Sequence, residues 1–165
     1  DRLYILVRPA FVDEYYSIHI RDLSGKLIES WTTSIEYKTF NKHCIINQKL
    51  IISDPSNKQL VVFSLTGDII TLTRTPCDLC TGSEVAMTVE GDNSVILSVK
   101  DSNIVFRIDI NSGEVMWVWN HVSKPQGVVC YKNRYVLVTN CGAETRIWIL
   151  DINTGEWRYI LPFGD

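Results

Sequence analysis

Long apolar runs and helical periodicity are both missing from this sequence. No window approaches the roughly 18 uninterrupted apolar residues of a membrane-spanning helix. Hydrophobic residues do not recur at helical spacing over the ten or more positions that a stable helix needs. The N-terminal residues lack the charged and apolar regions of a signal peptide, and the chain contains no Asn-X-Ser/Thr glycosylation site. These absences argue against a helical bundle, a membrane-spanning protein and a secreted glycoprotein.

Positive charge is also in short supply. The chain has 16 Lys and Arg residues against 19 Asp and Glu residues, a net charge of -3. It therefore lacks the overall positive field that supplies most non-specific affinity for nucleic acid, although a basic patch on one face is compatible with this balance. The five cysteines are an odd number, which does not fit a framework of paired disulfides. We expect free thiols and a cytoplasmic protein.

Signatures of common catalytic sites are absent as well. The sequence contains no Gly-x-Ser-x-Gly elbow, no Gly-x-x-x-x-Gly-Lys phosphate loop and no Gly-x-Gly-x-x-Gly fingerprint. Only three histidines are present, and the sequence identifies no acid and base pair. We expect a protein that is not an enzyme, binds no cofactor and has no identifiable small-molecule substrate.

What the sequence does contain is a repeat. Four segments each combine an apolar strand, a short turn with Gly and a second apolar strand. The turn glycines Gly25, Gly67, Gly113 and Gly155 are spaced 42, 46 and 42 residues apart. This spacing is the length of a β-propeller blade, and Gly suits such turns because it reaches positive φ without a Cβ clash. The sequence predicts an all-β fold, a β-propeller of about four blades of four-stranded antiparallel sheet.

Apolar residues alternating with polar ones place the strands within the repeats. We expect one domain, residues 1–165, with blades at about 1–34, 40–75, 83–120 and 125–161. The first blade offers only Leu3–Val7, Tyr16–Asp22 and Leu27–Trp31, so its innermost strand is missing. Propellers close by bringing their first and last blades together. Because the chain does not begin with Met and ends without a closing strand, we expect an incomplete ring, part of a longer protein.

Strands are expected in the other three blades at the following positions: Cys44–Asn47, Leu50–Ser53, Leu60–Leu65, Ile69–Thr73, Val85–Val89, Val95–Val99, Ile104–Ile110, Val115–Trp119, Gly127–Tyr131, Tyr135–Thr139, Thr145–Ile152 and Trp157–Leu161.

Two segments carry a family resemblance. Residues 53–69 run Ser-Asp, a small turn, Asn-Lys, an apolar strand and a Gly hairpin, and Pro125-Gln126-Gly127-Val128 is followed by Arg146-Ile147-Trp148-Ile149-Leu150-Asp151. This pattern resembles the NHL repeat. The resemblance implies a propeller like the substrate-recruiting C-terminal part of tripartite-motif proteins, in which a RING domain carries ubiquitin-ligase activity. No RING, B-box or coiled-coil pattern occurs in these residues, so ligase activity would belong to another part of such a protein.

The third repeat departs from the NHL pattern. Its Asp109-x-x-x-Gly113-x-x-x-Trp117 hairpin resembles that of quinoprotein-type propellers. This second resemblance implies a scaffolding or redox role instead.

The candidate binding residues are basic and lie in the expected loops of one rim. They precede the inner strand of a blade, join its second and third strands, or end its outer strand; they are Lys42, His43, Lys58, Arg74, Lys124 and Arg146. The NHL resemblance implies that this rim holds protein or RNA partners. A protein partner is our first hypothesis and single-stranded RNA the alternative. An ordinary solvated rim also fits, because Asp54 and Asp101 share these loops.

Two further sets of residues have a structural and a functional interpretation. Cys77 and Cys80 have metal-ligand spacing, but a structural zinc site needs four ligands and no second cysteine pair follows. We expect two loop thiols and no metal. The tryptophans are expected to pack between blades, with Trp117 and Trp119, or Trp157 and Tyr159, as alternative exposed aromatic pairs.

Overall fold

Fifteen antiparallel strands form four sheets in a computed structural model that describes residues 2–7, 15–36, 42–54, 57–76, 85–91, 93–141 and 146–160. Each sheet is built from consecutive strands, because short turns join neighbours along the chain. Within these residues no helix is long and apolar enough to cross a membrane.

Sheet 1 contains β1 (Leu3–Val7), β2 (Tyr15–Arg21) and β3 (Leu27–Glu36). The other sheets have four strands each. Sheet 2 comprises β4 (His43–Ile46), β5 (Lys49–Asp54), β6 (Gln59–Ser64) and β7 (Ile69–Arg74). Sheet 3 comprises β8 (Val85–Glu90), β9 (Ser94–Val99), β10 (Ile104–Asp109) and β11 (Val115–Trp119). Sheet 4 comprises β12 (Pro125–Tyr131), β13 (Tyr135–Asn140), β14 (Ile147–Asp151) and β15 (Trp157–Ile160).

The predicted all-β architecture is confirmed, including three strands in the first sheet. Fourteen of the strands begin and end within about two residues of the predicted positions. The exception is β3, which continues five residues beyond the predicted end at Trp31. Thr32 and Thr33 are β-branched residues suited to a strand, and Glu36 pairs with Tyr15 beyond a bulge.

Sheets 2 and 3 each pack against a sheet on either side, so their strands bury side chains on both faces. In sheet 2, Leu50 and Ile52 pack toward sheet 1, whereas Ile51 packs toward sheet 3. A third core between sheets 3 and 4 includes Trp119 and Trp148. This two-sided burial follows from the alternation of side chains along a strand. Three cores thus join the four sheets in a row, one core between each pair of neighbouring sheets.

The innermost strands of the last three sheets approach one another in turn. Strand β4 contacts β8, and β8 contacts β12. The hydroxyl oxygen of Thr88 on β8 accepts a hydrogen bond from the Cys130 amide on β12 at 3.2 Å. These contacts bring one edge of each sheet toward a common region, as expected for blades around an axis.

Polar side chains fix the turns that join the two outer strands. The Oδ1 atom of Asp109 accepts hydrogen bonds from the amides of Asn111 at 2.9 Å and Ser112 at 2.8 Å. Asp22 and Asp151 accept amide bonds at the corresponding turns. Such side-chain to backbone bonds favour turns over continued strand. Within one turn, the Asp side chain therefore accepts backbone hydrogen bonds, whereas the Gly adopts positive φ.

These turn carboxylates make the free energy of unfolding depend on pH. Hydrogen bonds from the Ser112 amide lower the pKa of Asp109, those from the Ser24 hydroxyl lower the pKa of Asp22, and the Arg134 guanidinium lowers the pKa of Asp151. A carboxyl whose folded pKa lies below its ordinary value of 3.8 stabilises the fold above that value. The stabilisation is lost as the pH falls through the folded pKa.

We expect Asp109→Asn to change the urea midpoint little at pH 7, because an amide oxygen accepts the same bonds. The loss of stability between pH 5 and pH 3 should become smaller, because one of the titrating carboxyls is gone. Urea titrations across this range test the prediction, with Glu29→Gln on β3 as the control. An unchanged acid dependence in Asp109→Asn would contradict it.

Candidate functional site

The basic candidate residues lie at one end of the sheets, on a surface that we call the basic rim: Lys42, His43, Lys58, Arg74, Lys124 and Arg146. All six lie among the residues that the structure describes. Two kinds of segment form this rim, the loops from the second to the third strand of a sheet and the connections between sheets. The Asp and Gly turns lie at the opposite end.

In sheet 2, backbone hydrogen bonds hold the rim segments together. The Ser53 amide donates to the Lys42 carbonyl at 2.9 Å, and the Lys42 amide donates to the Ser53 hydroxyl at 2.8 Å. The Thr75 amide donates to the Lys58 carbonyl at 3.1 Å. Because Thr75 directly follows Arg74, this bond brings Lys58 close to the end of β7. The backbone of sheet 2 therefore gathers four of the six candidates at one place.

A second basic cluster lies on sheet 4. The Cys141 amide donates to the Lys124 carbonyl at 3.2 Å, and the adjoining Asn140 accepts a hydrogen bond from the Arg146 amide at 2.8 Å. Lys124 also donates its own amide to the side-chain oxygen of Asn103 at 2.7 Å, which links it to sheet 3. Lys124 and Arg146 are thus hydrogen-bonded to two consecutive residues of the chain.

Two of the rim lysines adopt an unusual backbone conformation. Lys58 has φ of 54° and Lys124 has φ of 49°, while Asn103 in the equivalent loop of sheet 3 has φ of 55°. A residue other than Gly in this region costs about 1–2 kcal/mol. Four residues at the opposite end of the sheets share this conformation, Asn47, Gln48, Lys132 and Asn133, so positive φ alone does not mark a site. The conformation persists where the surroundings hold it in place. The hydrogen bonds to Lys58 and Lys124 supply that support here.

The acidic residue closest in sequence to Lys58 is largely withdrawn from the surface. Asp54 is only 3% exposed, and its Oδ2 atom accepts hydrogen bonds from the Asn57 side chain at 2.8 Å and the Gln59 side chain at 3.0 Å. These bonds use the Asp and Asn positions of the NHL-like segment to shape the loop. The Asp54 carboxylate therefore serves the loop rather than an external ligand.

Two neighbouring side chains at the rim have shifted pKa values. Desolvation and the adjoining charge of Lys42 lower the pKa of His43, so this exposed imidazole is neutral at pH 7. Burial raises the pKa of Cys44 to about 12, and the Cys44 thiol lies 3.2 Å from the Met87 sulfur. Cys44 is therefore an unreactive thiol.

An aromatic cluster adjoins Arg146 on the outer side of sheets 3 and 4. The Arg146 guanidinium lies 3.9 Å from the ring centre of Tyr159, and Tyr159 lies 5.3 Å from Trp148. Trp148 contacts Trp157 at 5.1 Å and Trp119 at 5.8 Å. Trp119 and Trp148 are buried between the sheets, as the sequence predicted, whereas Trp157 and Tyr159 are each 44% exposed. Of the two exposed pairs predicted as alternatives, Trp157 and Tyr159 are exposed, whereas Trp119 of the other pair is buried.

The remaining candidates are the two cysteines with metal-ligand spacing. Cys77 and Cys80 lie outside the described residues. Elsewhere along the described ranges, no group of three His, Cys, Asp or Glu side chains is arranged to hold a metal ion. Two recesses, of about 650 Å³ and 350 Å³, lie on sheet 4 away from the basic rim.

Comparisons with solved structures show the class of fold. The WD40 domain of Neurospora crassa Pan2 superposes with a TM-score of 0.67 at 15% identity, over 97% of this chain and 46% of that one. A streptogramin B lyase gives 0.69 at 14% identity, over 90% and 49%. BamB from Moraxella catarrhalis gives 0.62 at 18% identity, over 90% and 44%. No family model and no curated protein matches the sequence.

The chain is a β-propeller, with its sheets as successive blades. It spans a little under half the length of the three propellers compared above. At identities below 20% this likeness shows the fold alone.

Proposed function

We propose that this propeller is a non-enzymatic protein-binding platform whose basic rim receives an acidic segment of a partner protein. The observation that carries the proposal is the pair of lysines, Lys58 and Lys124, held at positive φ by hydrogen bonds beside Arg74 and Arg146. Loops ordered before binding lose less entropy when a partner docks. Cations on such loops attract an acidic partner and orient it.

The finer role that we propose is substrate recruitment in the cytoplasm. The NHL-like segments at residues 53–69 and 125–151 support a role like that of the propeller in a tripartite-motif ubiquitin ligase. In that arrangement the propeller supplies recognition, and catalysis belongs to a separate RING domain. The thiols of Cys44 and Cys141 are free, which fits a reducing compartment.

Single-stranded RNA is the second candidate ligand. The contact of Arg146 with Tyr159 favours it, because guanidinium and aromatic groups together form platforms for unstacked bases. The Arg146 side chain already covers one face of Tyr159, and the net charge of -3 opposes a polyanion. We therefore place the protein partner first.

Charge reversal at the rim tests the proposal. We expect Lys58→Glu to weaken binding of a fluorescein-labelled octaglutamate peptide about tenfold, or about 1.4 kcal/mol, because it removes an attractive charge and adds a repulsive one. Fluorescence anisotropy at 50 and 300 mM NaCl measures the effect. Lys132→Glu is a matched control, because Lys132 is an exposed lysine with φ of 53° on the opposite rim.

Octauridine RNA is the competing probe in the same assay. Binding of RNA more tightly than of the peptide, with a loss of RNA affinity in Arg146→Gln, would favour the RNA function. If neither probe binds at 50 mM NaCl, or if Lys58→Glu and Lys132→Glu weaken binding equally, the basic rim is not the binding surface.

A further inference from the structure

The outermost strand of sheet 2, β7, has a free edge with open backbone groups. Within the described residues no further strand pairs with it. The Thr75 amide donates to the Lys58 carbonyl, which makes these two opposed residues a hydrogen-bonded pair. Hydrogen-bonded and non-bonded pairs alternate along an antiparallel ladder. Thr73 therefore bonds to β6 in the same way, whereas the amide and carbonyl groups of Leu72 and Arg74 point away from the sheet.

Apolar side chains line this free edge. Leu72 is 56% exposed, Ile69 is 48% exposed and Ile70 is 47% exposed. Leu72 and Ile69 lie opposite Val61 and Phe63, so their side chains are on the face toward sheet 1. The first five residues of β7 include no charged residue and no proline, which are the residues that protect many edge strands from pairing. The edge of β7 is therefore open to pairing with another strand.

Strand β7 leads directly into the basic rim. Its last residue is Arg74, an exposed rim candidate, and the bond from Thr75 holds Lys58 beside it. A segment that pairs with β7 would therefore meet two cations at one end and the apolar side chains of Leu72 and Ile69 along its length. Opposite charge at the rim end attracts and orients an acidic segment.

The other strand edges lack this combination. The outer strands β3, β11 and β15 also carry exposed apolar side chains, but they end at Glu36, Trp119 and Ile160. The inner edge of β1 exposes Leu3 and Ile5, but none of the six rim candidates lies on sheet 1. The innermost strands β4, β8 and β12 approach one another. Of the outer strands that the structure describes, only β7 joins an apolar edge to the basic rim.

A second copy of the chain is a poorer partner for this edge than an acidic segment. Antiparallel pairing of two β7 strands would bring only Asp68, which precedes the strand, toward Arg74. The Asp68 carboxylate already accepts a hydrogen bond from the Thr66 hydroxyl at 2.9 Å within its own turn. The carboxylates of an extended acidic segment have no such bonds to lose when they meet Arg74 and Lys58.

We propose that the acidic partner segment continues beyond the basic rim as a β-strand paired antiparallel with β7. This inference rests on the proposed function, because the acidic residues beside Lys58 and Arg74 fix where the strand begins. It then runs past Leu72 toward Ile69, and antiparallel pairs are slightly more stable per residue than parallel ones. The partner residue that hydrogen-bonds to Leu72 directs its side chain to the same face as Leu72, so that position is apolar. Main-chain bonds supply affinity, and alternate side chains supply specificity.

A peptide designed to form this strand tests the inference on the unaltered protein. A fluorescein-labelled peptide of four glutamates followed by three Thr-Val pairs is compared with octaglutamate by anisotropy at 50 mM NaCl. We expect the strand peptide to bind about tenfold more tightly, because main-chain bonds add to the charge attraction. N-methylation of its Val amides should remove this gain, since these amides face β7. N-methylation of its Thr amides, which point away from β7, should leave the gain in place.

Substitution of the free edge is the second test. Leu72→Pro removes an open amide and no bond to β6, and proline is tolerated where the N–H of an edge strand faces solvent. We expect Leu72→Pro to abolish the gain of the strand peptide and to leave octaglutamate binding unchanged. Val118→Pro is the matched control and should keep the gain. Val118 is 50% exposed and lies at the same position of β11, one residue pair beyond the bulge.

The outcomes separate this inference from the proposed function. If the strand peptide binds no more tightly than octaglutamate while Lys58→Glu still weakens octaglutamate, the paired strand is wrong and the basic rim remains the binding surface. If neither peptide binds, both proposals are wrong. An equal loss of the gain in Leu72→Pro and Val118→Pro, or in the two N-methylated peptides, would also overturn pairing with β7. We expect a monomer by sedimentation velocity at 10 µM, and a dimer that Leu72→Pro dissociates would show that a second copy occupies the edge.

Discussion

Phe106→Ala is expected to lower the free energy of unfolding by about 3–5 kcal/mol. The Phe106 ring is 0% exposed and belongs to the core between sheets 2 and 3, where it packs among Leu60, Val62 and Leu97. Shortening it removes apolar contact area and leaves a cavity that rigid neighbouring strands cannot fill. Urea unfolding followed by tryptophan fluorescence measures the loss.

Val118→Ala is the matched control for this prediction. Val118 is the register partner of Phe106 on β11, but it is 50% exposed. We expect its truncation to cost about 0.5 kcal/mol, as is typical of surface positions. Similar losses in the two variants would show that sheets 2 and 3 are not packed as described.

Gly67→Val is the second substitution with a large expected effect, about 3 kcal/mol. Gly67 has φ of 98°, a conformation that costs a residue with a side chain about 1–2 kcal/mol. A Cβ atom at Gly67 would also lie 3.0 Å from Cδ2 of Trp31 on sheet 1. Forcing Trp31 away from the turn adds about 1–3 kcal/mol of overpacking. Thermal or urea unfolding measures the sum.

Gly155→Val separates the two contributions. Gly155 has φ of 73° in the equivalent turn of sheet 4, but nothing lies within 4 Å of the Cβ atom it would acquire. Only the backbone cost of about 1–2 kcal/mol should appear. A loss as large as that of Gly67→Val would mean that contact with Trp31 contributes nothing, and an unchanged stability would contradict the assigned turn.

The fold could be predicted because its units repeat and its signals are local. A Gly that follows Asp, Asn, Ser or Thr residues indicates each turn, and β-branched and aromatic residues indicate each strand. The end of β3 was harder to predict, because its pairing beyond Trp31 depends on Tyr15, which lies across a bulge. Such a register is set by the partner strand and is not visible in the residues of β3 alone.

The candidate site could be predicted in position but not in geometry. The spacing of strands placed Lys58, Lys124 and Arg146 on one rim. It did not reveal that Lys58 and Lys124 adopt positive φ, since lysine carries no preference for that conformation. Asn103 gave a signal that could have been used, because Asn enters the left-handed region more readily than most residues. Its bond to the Lys124 amide depends on the arrangement of two sheets and has no sequence signature.

The exposed apolar face of sheet 4 agrees with the incomplete ring expected from the sequence, but its residues could not be named from the sequence. The pattern of Tyr135, Leu137, Ile147 and Ile149 looks like that of any two-sided strand pair. Only the structure shows that one of the two sides has no covering sheet among the described residues. Sequence periodicity reports how many faces of a strand are apolar, whereas exposure depends on which neighbours are present.

The three separate cores between adjacent sheets have a consequence for how the molecule loses its structure. Each sheet is stabilised by the sheets on either side of it, so cooperativity is transmitted from neighbour to neighbour along the row, as in a linear repeat protein. Sheets 2 and 3, with a core on both sides, should exchange their amide hydrogens most slowly. Sheets 1 and 4 should fray first, and unfolding should spread inward from these two ends.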